Sequence, residues 1–284
     1  MKRFNGIALS VAFCSLASQA ALAQTKIDTL KVQHLNEVIV KGVRAAKEAP
    51  YAVANIRKSE LKQFSCTGQE LPFLLSRTPG ILAWSENGIG TGTTYMRIRG
   101  AAGSRINVTL DGVALNSPED QTVFWANMNS YSSLLGSIQV QRGVGSSTNG
   151  DGAFGGSISM ATAAPSLTPT AEVTGSFGSY NTYHTGASFS TGLLGKHLIF
   201  DGAYHETATD GYVDGTAGRS GSYYGGLTWL GDNFKISYKN IGNFEKTGQA
   251  WNGVLGGDYN SNFTLLEDGI RTYKDMYKAG LDKF

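Results

Sequence analysis

Two parts are legible in this chain: a small α+β domain, and after it an antiparallel β-sheet of the kind that crosses a membrane as a barrel. Three observations predict them. Residues 95–162 carry four short apolar runs, each bounded by glycine or a charged residue, as the strands of a small sheet are. Beyond residue 165 the sequence alternates between apolar and polar with period two. The composition, with 37 Gly, 13 Tyr and only 16% charged residues among 284, suits transmembrane strands. Downstream of residue 23 no apolar run reaches the roughly 20 residues that a spanning helix needs, so entry into a membrane would be as a barrel.

The N-terminus reads as an export signal over residues 1–23. Lys2 and Arg3 precede an apolar stretch from Gly6 to Ala17, and Ala21-Leu22-Ala23 is a small-x-small cleavage site before Gln24. A lipoprotein signal ending at Cys14 is the rival, and Phe13 argues against it, since such signals place a small residue there. Cleavage after Ala23 leaves Cys66 as the single cysteine, so no internal disulfide is expected. No histidine lies near Cys66 in sequence, which argues against a catalytic thiol.

Residues 24–50 read as a segment and tether. The run Glu37, Val38, Ile39, Val40 is β-branched within polar sequence, and such a run can add itself as a strand to another protein's open sheet edge. The other reading makes Val38–Val40 the first strand of the domain itself. From Tyr51 to Gly80 the pattern turns helical. Ser59 is placed to cap a turn running through Glu60 and Leu61 to Phe64, and Leu71 with Phe73–Leu75 forms an apolar face stopped by Thr78-Pro79-Gly80. Residues 86–94 form a Gly/Thr loop. It is no phosphate cradle, because no Lys-Ser or Lys-Thr follows at the required spacing.

The four runs are Met96–Ile98 before Arg99-Gly100, Ile106–Leu110 before Asp111-Gly112, Ile138–Val140 before Arg142-Gly143, and Ser157–Met160 after Gly155-Gly156. Asp111-Gly112 is a hairpin dipeptide: glycine tolerates positive φ and aspartate bonds its own turn. Residues 118–133 are polar and aromatic without alternation. At Ala163-Ala164-Pro165 the composition shifts, which places the domain boundary between 51–165 and 166–284.

In the second part, Tyr183, Thr185, Ala187 and Phe189 share one face, as do Leu198, Phe200, Gly202 and Tyr204, then Tyr223, Gly225, Leu227 and Trp229, then Phe234, Ile236 and Tyr238. Thr170–Phe177 fits the pattern more weakly. Leu194-Gly195-Lys196 and Gly231-Asp232-Asn233 read as tight turns, while residues 207–220 and the stretch after Glu245 read as long loops. Short turns on one side and long loops on the other are the outer-membrane pattern. A soluble β-sandwich would also bury one face, but it would not need aromatics repeated at strand ends.

Several chemistries are argued against. The formal net charge of +2 gives no case for nucleic acid. His34, His184, His197 and His205 fall on separate elements with no ligand spacing, so no metal site is expected. No nucleophile elbow or zinc-helix motif is present, and no enzyme or cofactor is expected.

The order RIRG, LDGVAL, IQVQRG, GAFGGSISM resembles the plug domain of TonB-dependent outer-membrane receptors, over about Leu61 to Thr162. That family has a similar helix ending in Pro-Gly before a strand like Ile81–Trp84, and DGYVDG and GQAWNG look like its early extracellular loops. The resemblance implies a plug followed by a barrel in the outer membrane and its lipid. It implies a plug motif of Gly100, Asp111, Gly112, Gly143, Gly155 and Gly156. Glu37–Val40 would be the TonB box, pulled by TonB with ExbB and ExbD at the expense of the inner-membrane proton gradient.

The ligand implied is a scarce nutrient chelate of iron-siderophore, haem or cobalamin type. Phe124 and Trp125 are placed either to face it or to close a small core. For Arg97, Arg99 and Arg142 the choice is between solvent and the plug–barrel interface; for Arg99 and Arg142 the resemblance favours pairing with wall carboxylates, which would lie mostly in barrel that this chain does not contain. The family often has an acid where Gln139 stands, which puts carboxylate pairing within the plug in doubt. Plugged barrels close with about 22 strands, whereas residues 170–284 supply about five or six. The expectation is therefore the N-terminal part of a longer receptor or a truncated reading frame. The function expected is energy-coupled uptake, the alternatives being a passive channel with a fixed plug and a fragment that does not transport.

Overall fold

A computed structural model describes residues 44–45, 52–144, 153–248, 275 and 278. Glu37–Val40 and residues 1–23, read as an export signal, lie outside the described residues. Twelve strands are described, in two five-stranded sheets and one hairpin.

The first domain is built on β1 (Ala52–Arg57), β4 (Ile106–Leu110), β5 (Val113–Ala114), β6 (Leu135–Arg142) and β7 (Gly156–Thr162), in the order β1-β6-β7-β4-β5. Only β4 and β7 run parallel. Alternation along β6 and β7 sends Ile138, Val140, Ile158 and Met160 to one face, where each is at most 1% exposed. Helix α1 (Lys58–Ser65) covers that face with Leu61 and Phe64, and α2 (Leu71–Leu75) adds Leu71, Leu74 and Leu75. Glycine at Gly80 then lets the chain turn with φ +82 into β2 (Ile81–Ser85).

Three expectations change here and a fourth holds. Residues 52–57 are a strand rather than helix; their full register with β6, from Ala52↔Arg142 to Arg57↔Ser137, supplies the stability that their small side chains do not advertise. Helix α1 is capped at Arg57, not Ser59, with the Glu60 carboxylate accepting the Arg57 N–H at 3.3 Å. The run Met96–Ile98 lies in β3 (Thr94–Ile98), which pairs with β2 as a separate hairpin instead of joining the main sheet. Asp111-Gly112 does turn the chain from β4 into β5, with φ of +49 and +85.

The second part is a continuous antiparallel meander: β8 (Thr170–Phe177), β9 (Tyr183–Ser190), β10 (Leu198–Thr209), β11 (Gly218–Leu230) and β12 (Lys235–Thr247). Its outward face carries Val173, Phe177, Phe189, Phe200, Tyr204, Tyr223, Leu227, Trp229, Ile236 and Tyr238, all exposed. The opposite face carries buried His184, His205, Thr207, Ser220, Ser222 and Thr228. A soluble sheet exposes its polar face and buries its apolar one; this sheet does the reverse, as lipid requires. Phe234 falls in the turn before β12, where Gly231 N–H donates to its carbonyl at 2.8 Å.

Two tight turns, at residues 191–197 and 231–234, share the end of the wall at which the linker from the first domain arrives; Leu193 N–H donates to Leu167 O there. At the other end, residues 178–182 and 210–217 join the strands. The connection read as 207–220 is shorter than expected, because β10 and β11 pair as far as Thr209↔Gly218. Among the described residues no helix is long and apolar enough to cross a membrane.

Candidate functional site

The first domain lies against the polar face of the wall, and the seam between them is the candidate site. Near the linker end Lys62 of α1 meets Glu172 of β8 at 2.7 Å, and towards the other end of that strand Ser176 Oγ donates to Cys66 O. Deeper in, Gly68, at φ +70, packs on Thr207; a Cβ there would lie 3.0 Å from its Cγ2. Beside it, His184 Nδ1 is 2.9 Å from Thr207 Oγ1. A cavity of about 160 Å³ opens between the two parts, bordered by Lys58, Lys62, Glu172, Asp201 and His205.

A second ionic contact forms at the hairpin turn. Lys239 of β12 donates to Asp111 Oδ2 at 2.9 Å and to Thr162 Oγ1 at 2.6 Å. Thr162 in turn donates its N–H and hydroxyl to the two Asp111 oxygens at 2.9 and 2.8 Å. Burial alone would raise the Asp111 pKa; the hydrogen bonds from Lys239 and Thr162 outweigh it and hold the carboxyl below its ordinary value. Asp111 therefore serves at once as turn residue, strand clamp and docking point.

Glu70 shows the opposite behaviour. It sits just before α2, is 3% exposed, and its pKa is pushed well above the carboxylate range, first by burial and then by the facing Glu245. For an acid whose folded pKa is raised, the contribution to stability falls as pH rises from the unfolded value through the folded one. Glu70→Gln is expected to raise the melting temperature at pH 7 and to make little difference at pH 4, as read by thermal scans of both proteins. A lower melting temperature at pH 7 would contradict this account.

At the far end of the seam stands the β2–β3 loop, residues 86–93. Burial and a hydrogen bond to Glu86 (2.7 Å) push the Tyr95 phenol up to about 12. Tyr95 stacks on Trp84 with centroids 5.4 Å apart, and the Arg97 guanidinium lies 5.9 Å from the Trp84 ring centre. Asn87 O in this loop accepts from Tyr212 N–H (3.0 Å) and Val213 N–H (3.4 Å) in the 210–217 connection.

The residues singled out from sequence divide as follows. Arg142 donates to Pro79 O at 2.7 Å, and Arg99, at φ +50, approaches Gly143 through its guanidinium. Of the ion pairs described across the seam, both use lysines, Lys62 and Lys239. Trp125 is 5% exposed and belongs to the core, which replaces the reading of it as ligand-facing; its neighbour Phe124 is 60% exposed. Gly155 and Gly156 are required by space: a Cβ on Gly155 would lie 2.5 Å from Ala101 Cβ, and one on Gly156 would strike Gln141 O. His184 and His205 stand side by side on neighbouring strands, with ring centroids 5.7 Å apart. Among the described residues, no group of three or more His, Cys, Asp or Glu is placed to hold a metal ion.

Gln139 has an unforeseen use. Its amide accepts the Ala45 N–H at 2.8 Å and donates to Ala45 O (3.2 Å) and Asn55 Oδ1 (2.9 Å). Arg44 bonds Ser137 and Ser159 beside it. A carboxylate at this position could accept but not donate, so the glutamine suits a backbone held by both its groups.

A family model described as TonB-dependent Receptor Plug Domain matches residues 45–157. No curated protein matches the chain. Solved structures do. The siderophore receptor PirA from Acinetobacter baumannii superposes with TM-score 0.53 at 19% identity, over 72% of this chain and 33% of its own. The pyoverdine outer membrane receptor FpvA from Pseudomonas aeruginosa, bound to pyoverdine, gives 0.57 at 17%, over 72% and 29%. The ferric yersiniabactin uptake receptor FyuA from Yersinia pestis gives 0.55 at 16%, over 73% and 33%. These likenesses show the fold, and the chain spans about a third of the length of each.

Proposed function

We propose that this chain, whose residues 45–157 match the family model of a TonB-dependent receptor plug domain and pack on the polar face of a sheet whose other face is apolar, takes part in energy-coupled uptake of a nutrient chelate across the outer membrane. The observation that carries the reading is the docking itself. The polar contacts described across the seam are hydrogen bonds and two ion pairs, and Ala203, Tyr224 and Ile241 of the wall add a small apolar contact with the plug core. Such a seam resembles a transient interface more than a core, which favours a plug that moves over a fixed stopper.

In this reading the polar face of the wall is the lumen, the apolar face meets lipid, and the end carrying the linker faces the periplasm. TonB, working with ExbB and ExbD, engages Glu37–Val40 by strand addition and draws on the inner-membrane proton gradient. The ligand is a chelate of the iron-siderophore, haem or cobalamin type, met at the outer end of the plug, and the exposure of Phe124 supports a part for it in that contact. Arg99 and Arg142 would then act through the plug's own turns, with Lys62 and Lys239 making the wall contacts.

Deleting Glu37–Val40 is expected to abolish uptake of labelled ferric chelates by cells while leaving their binding at the surface intact. Loss of binding as well would overturn the assignment of that segment. Uptake that persists after the proton gradient is collapsed would favour the passive channel.

A further inference from the structure

Asn87 is 3% exposed, yet it lies in a loop of eight residues between β2 and β3. Both ends of its side-chain amide are engaged within that loop and the adjoining end of β2. Oδ1 accepts from Ile89 N–H at 3.1 Å, Gly90 N–H at 3.2 Å and Ser85 Oγ at 3.1 Å, and Nδ2 donates to Thr91 Oγ1 at 2.5 Å. The turns this requires fall on glycines, with φ of +77 at Gly88, +91 at Gly90 and +67 at Gly92. The loop is tied inward as well: Glu70 N–H donates to Gly90 O at 2.8 Å and Gln69 Nε2 to Ile89 O at 2.9 Å.

The main chain of Asn87 faces the other way. Its carbonyl accepts the N–H groups of Tyr212 and Val213, and the Tyr212 ring lies over Gly88, where a Cβ would come within 2.9 Å of Tyr212 Cδ1. Tyr212 meets Tyr180 edge to face at 5.6 Å; Asn181 Nδ2 donates to Asp210 Oδ2 at 2.6 Å, and Asp210 N–H to Tyr180 O at 2.9 Å. Both outer connections of the wall are thus joined to each other, and through one peptide carbonyl to the plug.

We propose that Asn87 is a latch: a positioning residue that fastens the 210–217 connection to the plug, so that the plug cannot shift from the wall until that connection lifts. Elsewhere along the seam the ion pairs Lys62–Glu172 and Lys239–Asp111 are made by side chains. The Asn87 loop is different, because its shape is over-determined by its own side chain and the two main-chain bonds depend on that shape. Coupling of this kind is reciprocal. Whatever loosens the loop frees the outer connection, and whatever lifts the outer connection frees the loop. The direction of the signal, from outside inward, rests on the function proposed above; the coupling does not.

Amide hydrogen exchange on the full chain in liposomes tests it. Asn87→Ala should speed exchange at 210–217 as well as at 86–93, by about tenfold or more, while Ile138 and Ile158 in the core keep their protection. Tyr212→Ala should speed exchange at 86–93 in return. Exchange that rises only in the loop carrying the substitution would overturn the latch. Should Asn87→Ala lose core protection too, Asn87→Asp keeps the Oδ1 acceptor and loses only the donation to Thr91. Both loops should then loosen together, and an unchanged 210–217 would again overturn the proposal. Failure of uptake to depend on the proton gradient would remove the functional reading and leave this exchange result standing.

Discussion

Adding one methyl group at Gly156 is expected to destabilise the plug by about 3 kcal/mol or more. Two effects combine there. The residue sits at φ +153, in backbone that side chains rarely adopt, and its added Cβ would strike the carbonyl oxygen of Gln141. That oxygen belongs to β6, whose register with β7 runs through Arg142↔Gly156 and which pairs with β1 on its other side. Backbone paired on both sides cannot yield as a long side chain can. The measurement is the urea midpoint followed by fluorescence of buried Trp125, with Gly100→Ala as the comparison. At Gly100 a Cβ meets nothing within 4 Å, so only the φ of +83 is charged against it, about 1–2 kcal/mol. Equal losses at the two positions would contradict the steric account.

The second large effect is expected at the Asp111–Lys239 contact. Asp111→Ala removes the carboxylate that accepts from Lys239, Thr162 N–H and Thr162 Oγ at once. The side chains of the pair are only 23% and 19% exposed, so the loss should be about 2 kcal/mol. Asp111→Asn separates charge from shape, since asparagine also tolerates the φ of +49. The pH dependence has a defined sign. The folded pKa of Asp111 is lowered, so its contribution is present above the unfolded value of about 3.9 and is lost as pH falls through the folded value. Wild type should therefore lose stability on acidification below about pH 4 by more than Asp111→Asn does. A double-mutant cycle with Lys239→Met should return a coupling well above experimental error; additive losses would mean that the contact does not help hold plug to wall.

How much of this was legible in the sequence depends on the range of the interaction. The wall strands could be read because alternation is a local signal, and Tyr223, Leu227 and Trp229 appear on the face that the pattern assigns them. The Asp111-Gly112 turn could be read for the same reason. Strand β1 could not: Ala52, Ala54 and Asn55 carry little strand preference, and what fixes them is pairing with β6, about eighty residues away. Ion pairs across the seam are longer-range still. Asp111 and Lys239 are 128 positions apart, and nothing in either neighbourhood names the other. The arginines of the motif are the obvious cations, whereas the ion pairs described across the seam are Lys62–Glu172, with its cation on the plug, and Lys239–Asp111, with its cation on the wall.

The seam's outer end was hidden differently. Residues 86–94 lack the spacing of a phosphate cradle, but an asparagine followed by glycine at every second position signals a loop needing repeated positive φ. Adjacent Phe124 and Trp125 point to opposite fates because a short 3-10 turn begins at Trp125, a feature too brief for periodicity to reveal. Gln139 departed from the family's usual acid, and the departure proves informative: an amide can hold both main-chain groups of Ala45.

The central claim is that residues 170–247 present Phe, Tyr, Leu and Trp to lipid while the plug occupies their other face. Fluorescence quenching of Trp229 tests it most directly, in protein where Trp84, Trp125 and Trp251 are replaced by Phe and liposomes carry brominated acyl chains. The account predicts strong quenching, because Trp229 is on the outward face of β11 and 44% exposed. Emission unchanged by the brominated lipid would place that face in water or against protein, and the chain would then be a soluble sandwich.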